Sequence, residues 1–201
     1  MTKTIVFTSE FGSGARLIAK RLSDSLGIPF YGEDSLLKLA AERSGISASD
    51  IQAFEASLAK YEGKPLTLKE ISPSVHATLG EEIFKAYEDT ILELASKGPC
   101  ILMEKESHPI LKPRMEFLSI FVYGSGLEKK IMRCMSVLGT AREDAVELIS
   151  EQEKQRLVFH QAVSDIEKYN MKEYDLCINS DIFEEETSEK IILAAYEKNN
   201  P

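Results

Sequence analysis

Apolar residues along the chain fall into short unbroken runs, separated by longer stretches in which they recur every three or four positions. The runs Thr4-Ile5-Val6-Phe7, Ile28-Pro29-Phe30-Tyr31, Cys100-Ile101-Leu102-Met103, Phe117-Leu118-Ser119-Ile120-Phe121-Val122 and Asp175-Leu176-Cys177-Ile178-Asn179 are strand-sized. Continuous apolarity at that length marks strands covered on both faces, as in a parallel sheet. Helical spacing follows each of them: Leu17, Ile18, Leu22 and Leu26 up to Gly27, then Leu36, Leu37, Leu39 and Ala40 up to Gly45. Ser47 opens a further helix with Ile51, Phe54 and Leu58, which the polar stretch at Gly63-Lys64-Pro65 ends. Ile83, Ala86, Tyr87, Ile91, Leu94 and Ala95 keep one face apolar as far as Lys97-Gly98-Pro99. Ile131, Met135 and Leu138, a charged stretch with Val146, Ile149, Leu157 and Phe159, and finally Ile191, Ile192 and Ala195 complete the helices. Strands alternating with helices predict an α/β fold with a doubly wound five-stranded parallel sheet, which binds ligands beyond the carboxyl ends of its strands.

The 201 residues, 43% hydrophobic and 28% charged, suit one domain over 1–201 with a small helical insertion. A net charge of −9 favours solubility and repels nucleic acid and anionic membranes, so neither is expected as a partner. An anionic substrate must then be met by local basic groups. Met1-Thr2-Lys3-Thr4 enters a strand without the regions of a secretory signal, and no apolar run approaches the ~20 residues that cross a bilayer; a cytoplasmic location is expected. Cys100, Cys134 and Cys177 lack C-x-x-C spacing and are odd in number, which speaks for reduced thiols. His76, His108 and His160 share no metal-ligand spacing, and no serine occupies a G-x-S-x-G turn, so metallohydrolase and serine hydrolase chemistry have no foothold.

The first strand-to-helix turn, Ser9-Glu10-Phe11-Gly12-Ser13-Gly14-Ala15-Arg16, is where such a fold binds. Gly12 and Gly14 remove side chains where backbone amides must approach an anion, and the following helix aims its first amides at the same point, which suits phosphate. The same spacing also serves a strand that simply reverses into a tightly packed helix. A dinucleotide fingerprint needs a third glycine where Leu17 stands, which places a nicotinamide site behind a triphosphate site. The G-x-x-x-x-G-K-[ST] pattern is also incomplete, with Ala15 where lysine belongs and Arg16 next to it. Arg16 either takes over the phosphate contact through its guanidinium fork or is a solvated first-turn side chain, since helix N-termini disfavour cations.

Together with Gly27-Ile28-Pro29-Phe30-Tyr31, this loop resembles the cytidylate kinase-like family, whose opening typically reads S-R-E-Y-G-S-G-G-R followed by L-G-I-P-F-Y-D. The likeness continues through Gly98-Pro99-Cys100-Ile101, Leu118-Ser119-Ile120-Phe121-Val122-Tyr123 and Tyr174-Asp175-Leu176-Cys177-Ile178-Asn179, which look like that family's third, fourth and fifth strands. The resemblance implies a P-loop, nucleoside monophosphate kinase-type fold. ATP would lie on Gly12, Ser13, Gly14, Ala15 and Arg16, beneath a helical acceptor-binding insertion over about 33–75 and a basic lid over about 140–172. It further implies a small nucleotide substrate, cytidine or deoxycytidine monophosphate.

Several positions depart from that pattern. Where the family carries Gly-Arg after the third strand, the arginine being an acceptor-phosphate ligand, this chain has Glu104-Lys105; Lys105 keeps the charge and loses the fork. Glu104 is either a carboxylate that holds Mg²⁺ directly or through water, or a charged loop residue. Gly32 replaces an aspartate, leaving Asp34 as a partial substitute on the acceptor. Glu153-Lys154-Gln155-Arg156 stands where the lid reads Asp-Lys-x-Arg, so Lys154 and Arg156 are phosphate clamps or members of a charged helix face. Arg133 lies where a nucleotide-kinase helix often gives an adenine or phosphate contact, beside Lys129 and Lys130, which suit a solvated face equally. His108 lies near the expected acceptor site, or is a polar loop histidine. The reading is γ-phosphate transfer from ATP with Arg16, Lys105, Lys154 and Arg156 as the catalytic cations. Its alternative is a descendant that binds nucleotide as a sensor or structural protein without transferring phosphate.

Overall fold

β1 (Ile5–Ser9) is buried at every position, as a central strand of branched and aromatic residues must be. It pairs in parallel with β3 (Ile101–Met103), Val6 opposite Leu102, and with β4 (Leu118–Tyr123), Phe7 opposite Ile120. β2 (Phe30–Tyr31) and β5 (Leu176–Asn179) form the edges of a five-stranded parallel sheet in the order β2-β3-β1-β4-β5. β2 begins only after Pro29, whose ring nitrogen cannot donate to a ladder; the Pro29 carbonyl accepts from Ile101 at 2.8 Å. The computed structural model describes residues 3–61 and 76–199, so the expected insertion beyond residue 61, with its Gly63-Lys64-Pro65 stop, lies outside the described residues.

Alternation along β1 sends Ile5 and Phe7 to one face and Val6 to the other. On the first face, α1 (Ala15–Leu26) and α8 (Glu185–Asn199) bury Ile18, Leu22, Ile192 and Tyr196. On the second, α2 (Glu33–Ser44), α3 (Ala48–Ser57) and α4 (His76–Ser96) pack Leu36, Ile51, Tyr87 and Ile91 about Val6 and Leu102. Val158 and Phe159 of the long α7 (Arg142–Val163) join that core. Ser47 starts α3 as expected, its hydroxyl accepting from the Asp50 amide at 3.1 Å. α6 (Leu127–Leu138) follows β4, and α5 (Ser107–Leu111), five residues long and too short to show a period, follows β3.

The carboxyl ends of β1, β3 and β4 thus lie side by side, and the segments leaving them share one rim. Among the described residues, no helix is long and apolar enough to cross a membrane. Cys100, Cys134 and Cys177 are all free thiols.

Candidate functional site

Gly12 (φ 77°) and Gly14 (φ 84°) adopt the left-handed conformation that strains any residue with a Cβ. A Cβ on Gly12 would stand 3.1 Å from the Lys130 Cβ, and one on Gly14 would stand 3.3 Å from Arg133 Cδ and Nε, so α6 leaves no room there. Inside the turn, the Ser13 amide returns to the Glu10 carbonyl at 3.2 Å, while the Phe11 amide donates to the Glu153 carboxylate on α7. Ala15 and Arg16 open α1, so their amides lack an intrahelical acceptor and carry the positive end of its dipole. The Ser13 hydroxyl is buried without a partner. Buried orphan donors are uncommon, and phosphate oxygens are the acceptors this set lacks, so the loop fits a triphosphate.

The second wall is the turn after β3. Glu104, Lys105 and Glu106 have φ of 65°, 50° and 63°, three successive non-glycine residues in the left-handed region. Each costs about 1–2 kcal/mol, and such strain persists where side-chain contacts over-determine it. Glu104 supplies several: one oxygen accepts from the Ser9 amide at 2.6 Å and the Ser9 hydroxyl at 2.8 Å, and the other lies 3.6 Å from the Lys168 ammonium. Glu106 binds Lys168 at 3.4 Å and also His160 Nδ1. Lys105 reaches out to Glu55 on α3 at 2.6 Å and lies 5.4 Å from the centre of the Tyr87 ring; the Tyr87 hydroxyl donates to Glu55 at 3.0 Å.

α7 supplies the third wall. Arg156 donates to the Ser9 carbonyl at 3.3 Å and to Glu33 on α2 at 2.7 Å, and its guanidinium lies 5.3 Å from the centre of the Phe11 ring. Its Nε is buried and has no acceptor. Glu153, one turn earlier on the same face, joins the Phe11 amide to the Tyr169 hydroxyl, which donates at 2.7 Å. Turn 104–106 and α7, with Glu33, Glu55 and Lys168, line a cavity of about 40 Å³, room for water only, beside the glycine loop.

Burial would push Glu106 up, but the Lys168 ammonium and the His160 hydrogen bond hold it at about 2. Burial opposes ionisation of Glu33 too, and Arg156 and Lys105 bring it below the usual carboxylate range. Burial alone would lower Lys168, yet Glu106 and Glu104 raise it above the ordinary ammonium value. These groups are therefore charged at neutral pH.

The expected site residues divide. Arg156, Lys105 and Glu104 meet at this cavity, and Arg156 and Glu104 also reach Ser9 at the start of the glycine loop. Arg16 and Asp34 instead pair with each other at 2.8 Å, both well exposed, because a cation at a helix N-terminus gains more from a nearby carboxylate than from the loop. Lys154 is half-buried on α7; two residues from Arg156 is about 200° around a helix, so the two cannot share the cleft face. Arg133 braces the loop from outside, donating to the Gly12 carbonyl at 2.9 Å and the Ser180 carbonyl at 3.1 Å, with Asp181 at 3.3 Å. His108 is buried between the rings of Phe117 and Tyr174, its Nε2 3.1 Å from the Glu173 carbonyl, which is a packing position. Sequence reasoning missed Glu33, Glu55, Glu153 and Lys168. Glu153 alone had a signal, its i,i+3 spacing to Arg156.

Sheet order, glycine turn and rim define a P-loop kinase-type fold. The chain superposes on a protein of unstated activity from Eubacterium ventriosum with a TM-score of 0.70 at 20% identity, over 97% of this chain and 98% of that one. A shikimate kinase from Bacteroides thetaiotaomicron gives 0.53 at 13% identity, over 97% and 98% of the two chains. One from Acinetobacter baumannii in complex with shikimate gives 0.52 at 11%, over 99% and 95%. At such identities the likeness is one of fold. The chain belongs to the cytidylate kinase-like family, whose sequence model matches residues 4–182. It is similar to a cytidylate kinase of Methanobrevibacter smithii, 26% identical over 190 residues, which is 90% of this chain and 91% of that protein.

Proposed function

We propose that the protein transfers a phosphoryl group from ATP to a small acceptor in the cleft between loop 10–14, turn 104–106 and α7. Arg156 carries the reading: a guanidinium on a helix that folds over the loop, touching Ser9 and Phe11, with one buried donor still free. Phosphoryl transfer asks the protein chiefly for positioning and for cations around the transferring group, and Arg156 supplies from α7 the charge that Ala15 does not.

ATP would be held by the backbone of Gly12, Ser13, Gly14, Ala15 and Arg16 and by the orphan Ser13 hydroxyl. With Mg²⁺ it brings the transferable group and part of the charge neutralisation. Among the described residues, no three acidic, cysteine or histidine side chains gather to hold a metal ion. The protein's share of a Mg²⁺ site is then Glu104, next to Lys168, with phosphate oxygens providing most ligands. Residues 33–61 cover the acceptor and α7 belongs to the lid, within about 140–172. Since the cavity is too small for a nucleotide, α7 must lift to admit substrates.

The test is ADP formation with ATP, Mg²⁺ and a panel of acceptors that begins with cytidine and deoxycytidine monophosphate, the ones kinship suggests. Arg156→Ala should lower kcat by about 100-fold or more, and Arg16→Ala by less than about tenfold, because Asp34 already holds that side chain away. Calorimetric binding of ATP without turnover of any acceptor would favour a nucleotide sensor instead.

A further inference from the structure

Two side chains of α7 reach the glycine loop, and they carry opposite charges. Arg156 donates to the Ser9 carbonyl at 3.3 Å and lies 5.3 Å from the centre of the Phe11 ring. Glu153, three residues earlier on the same helix face, accepts from the Phe11 amide with one carboxylate oxygen. Its other oxygen accepts from the Tyr169 hydroxyl at 2.7 Å. Tyr169 is fixed in turn by stacking on Phe121 of β4, with ring centres 5.4 Å apart and planes within 18° of parallel. Burial and the Glu153 charge push that hydroxyl above its ordinary range, so it remains a donor. The carboxylate is thus held at both oxygens, by the loop on one side and by the segment after α7 on the other.

A carboxylate seated on a loop amide resembles the ligand that the loop suits. Backbone amides at such a turn bind carboxylate and phosphate oxygens through the same charge-assisted hydrogen bond. A polyphosphate arriving on Gly12, Ser13 and Gly14 therefore meets one cation and one anion on the same helix. Arg156 is attracted to it. Glu153 is repelled, and the Phe11 amide that phosphate oxygens could use is already taken. Glu104 also touches the loop, at Ser9, but from the turn after β3 and with Lys168 beside it at 3.6 Å. Glu153 is the carboxylate carried by the helix that has to move.

We infer that Glu153 is a built-in competitor of the nucleotide: its carboxylate and the polyphosphate contend for the Phe11 amide, and Tyr169 holds the carboxylate in place. The inference rests on the reading of the loop as a triphosphate site. Part of the binding free energy then goes into releasing Glu153, and apparent affinity is lowered by the share of molecules in which it keeps the amide. The exchange also ties occupancy of the loop to α7. Phosphate expels the acidic contact and retains the basic one, so Arg156 stays over the transferring group while the Glu153 end of the contact is given up.

Calorimetric titration of the full chain with a non-hydrolysable ATP analogue and Mg²⁺ tests this in the parent, Glu153→Ala and Tyr169→Phe. A hydrogen bond to a charged group corresponds to about 10- to 100-fold in an equilibrium constant. Glu153→Ala should accordingly bind the analogue at least about tenfold more tightly than the parent. Tyr169→Phe keeps the ring on Phe121 and removes one anchor of the carboxylate, so it should tighten binding by at least about twofold. Neither gain should extend to adenosine, which brings no phosphate to the loop. No binding of the analogue to any of the three chains overturns both this inference and the triphosphate reading. Binding to the parent, with equal or weaker affinity in a folded Glu153→Ala chain, overturns this inference alone, as does an equal gain for adenosine. Should Glu153→Ala fail to fold, Tyr169→Phe decides: tighter analogue binding supports the competition, and unchanged or weaker binding overturns it.

Discussion

Arg156→Met tests whether charge holds α7 onto the glycine loop. The substitution keeps an apolar stem beside Phe11 and removes the bonds to the Ser9 carbonyl at 3.3 Å and to Glu33 at 2.7 Å, together with the charge 3.9 Å from Glu104. The arginine side chain is 11% exposed, so the pair lies largely out of water. Deleting one partner of such a pair costs about 3–5 kcal/mol, because the other is left uncompensated. Glu33 keeps 29% exposure and can rehydrate, which favours the lower end, about 3 kcal/mol. At this chain length 1 kcal/mol moves Tm by about 2–4 °C, so circular dichroism melts at pH 7 should show a fall of about 6–12 °C. The double variant Arg156→Met with Glu33→Gln strands neither charge across that pair and should recover more than half of the loss. A single variant within about 2 °C of the parent, or a double variant no more stable than the single, would refute the reasoning.

Two further outcomes follow from the same site. Folded Glu106 titrates at about 2 against an ordinary 4.5, so it contributes stability above the unfolded value and loses it as pH falls towards 2. The difference is worth about 3 kcal/mol, and urea midpoints between pH 6 and pH 2.5 should fall less steeply in Glu106→Gln than in the parent. Gly14→Ala forces a Cβ into a φ of 84° and to 3.3 Å from Arg133, at a cost of about 1–2 kcal/mol, and should weaken calorimetric binding of an ATP analogue by more than about tenfold. Gly27→Ala, at φ 64° with open space around it, is the control: a similar loss of Tm with nucleotide affinity unchanged.

What the sequence disclosed follows from the range of the forces involved. β1, β3 and β4 were legible because a strand covered on both faces must be apolar throughout, and the residues that satisfy this are consecutive. Gly12 and Gly14 were legible because only glycine takes positive φ without strain. The cations could be recognised by type but not by partner. Lys105 finds Glu55 from another element, and Arg156 finds Glu33 from the far side of the sheet order. No local period records such pairings, and charged residues are common enough on helix faces that nothing in the sequence singles out Glu33 or Glu55. The resemblance to an Asp-Lys-x-Arg lid pairs Lys154 with Arg156, although helical geometry separates them.

The left-handed turn at Glu104-Lys105-Glu106 ties substitutions at one of its positions to the partners of the others. Glycine at position 104 would relax the backbone but release Ser9 and take a counter-charge from Lys168, two effects of opposite sign at one codon. Replacing Lys105 by arginine meets a fixed Glu55 rather than an open space. Change here is thus epistatic: Glu104→Gly and Lys105→Arg made one at a time should each destabilise the chain, and only a set that also changes Glu55 and Lys168 should be tolerated.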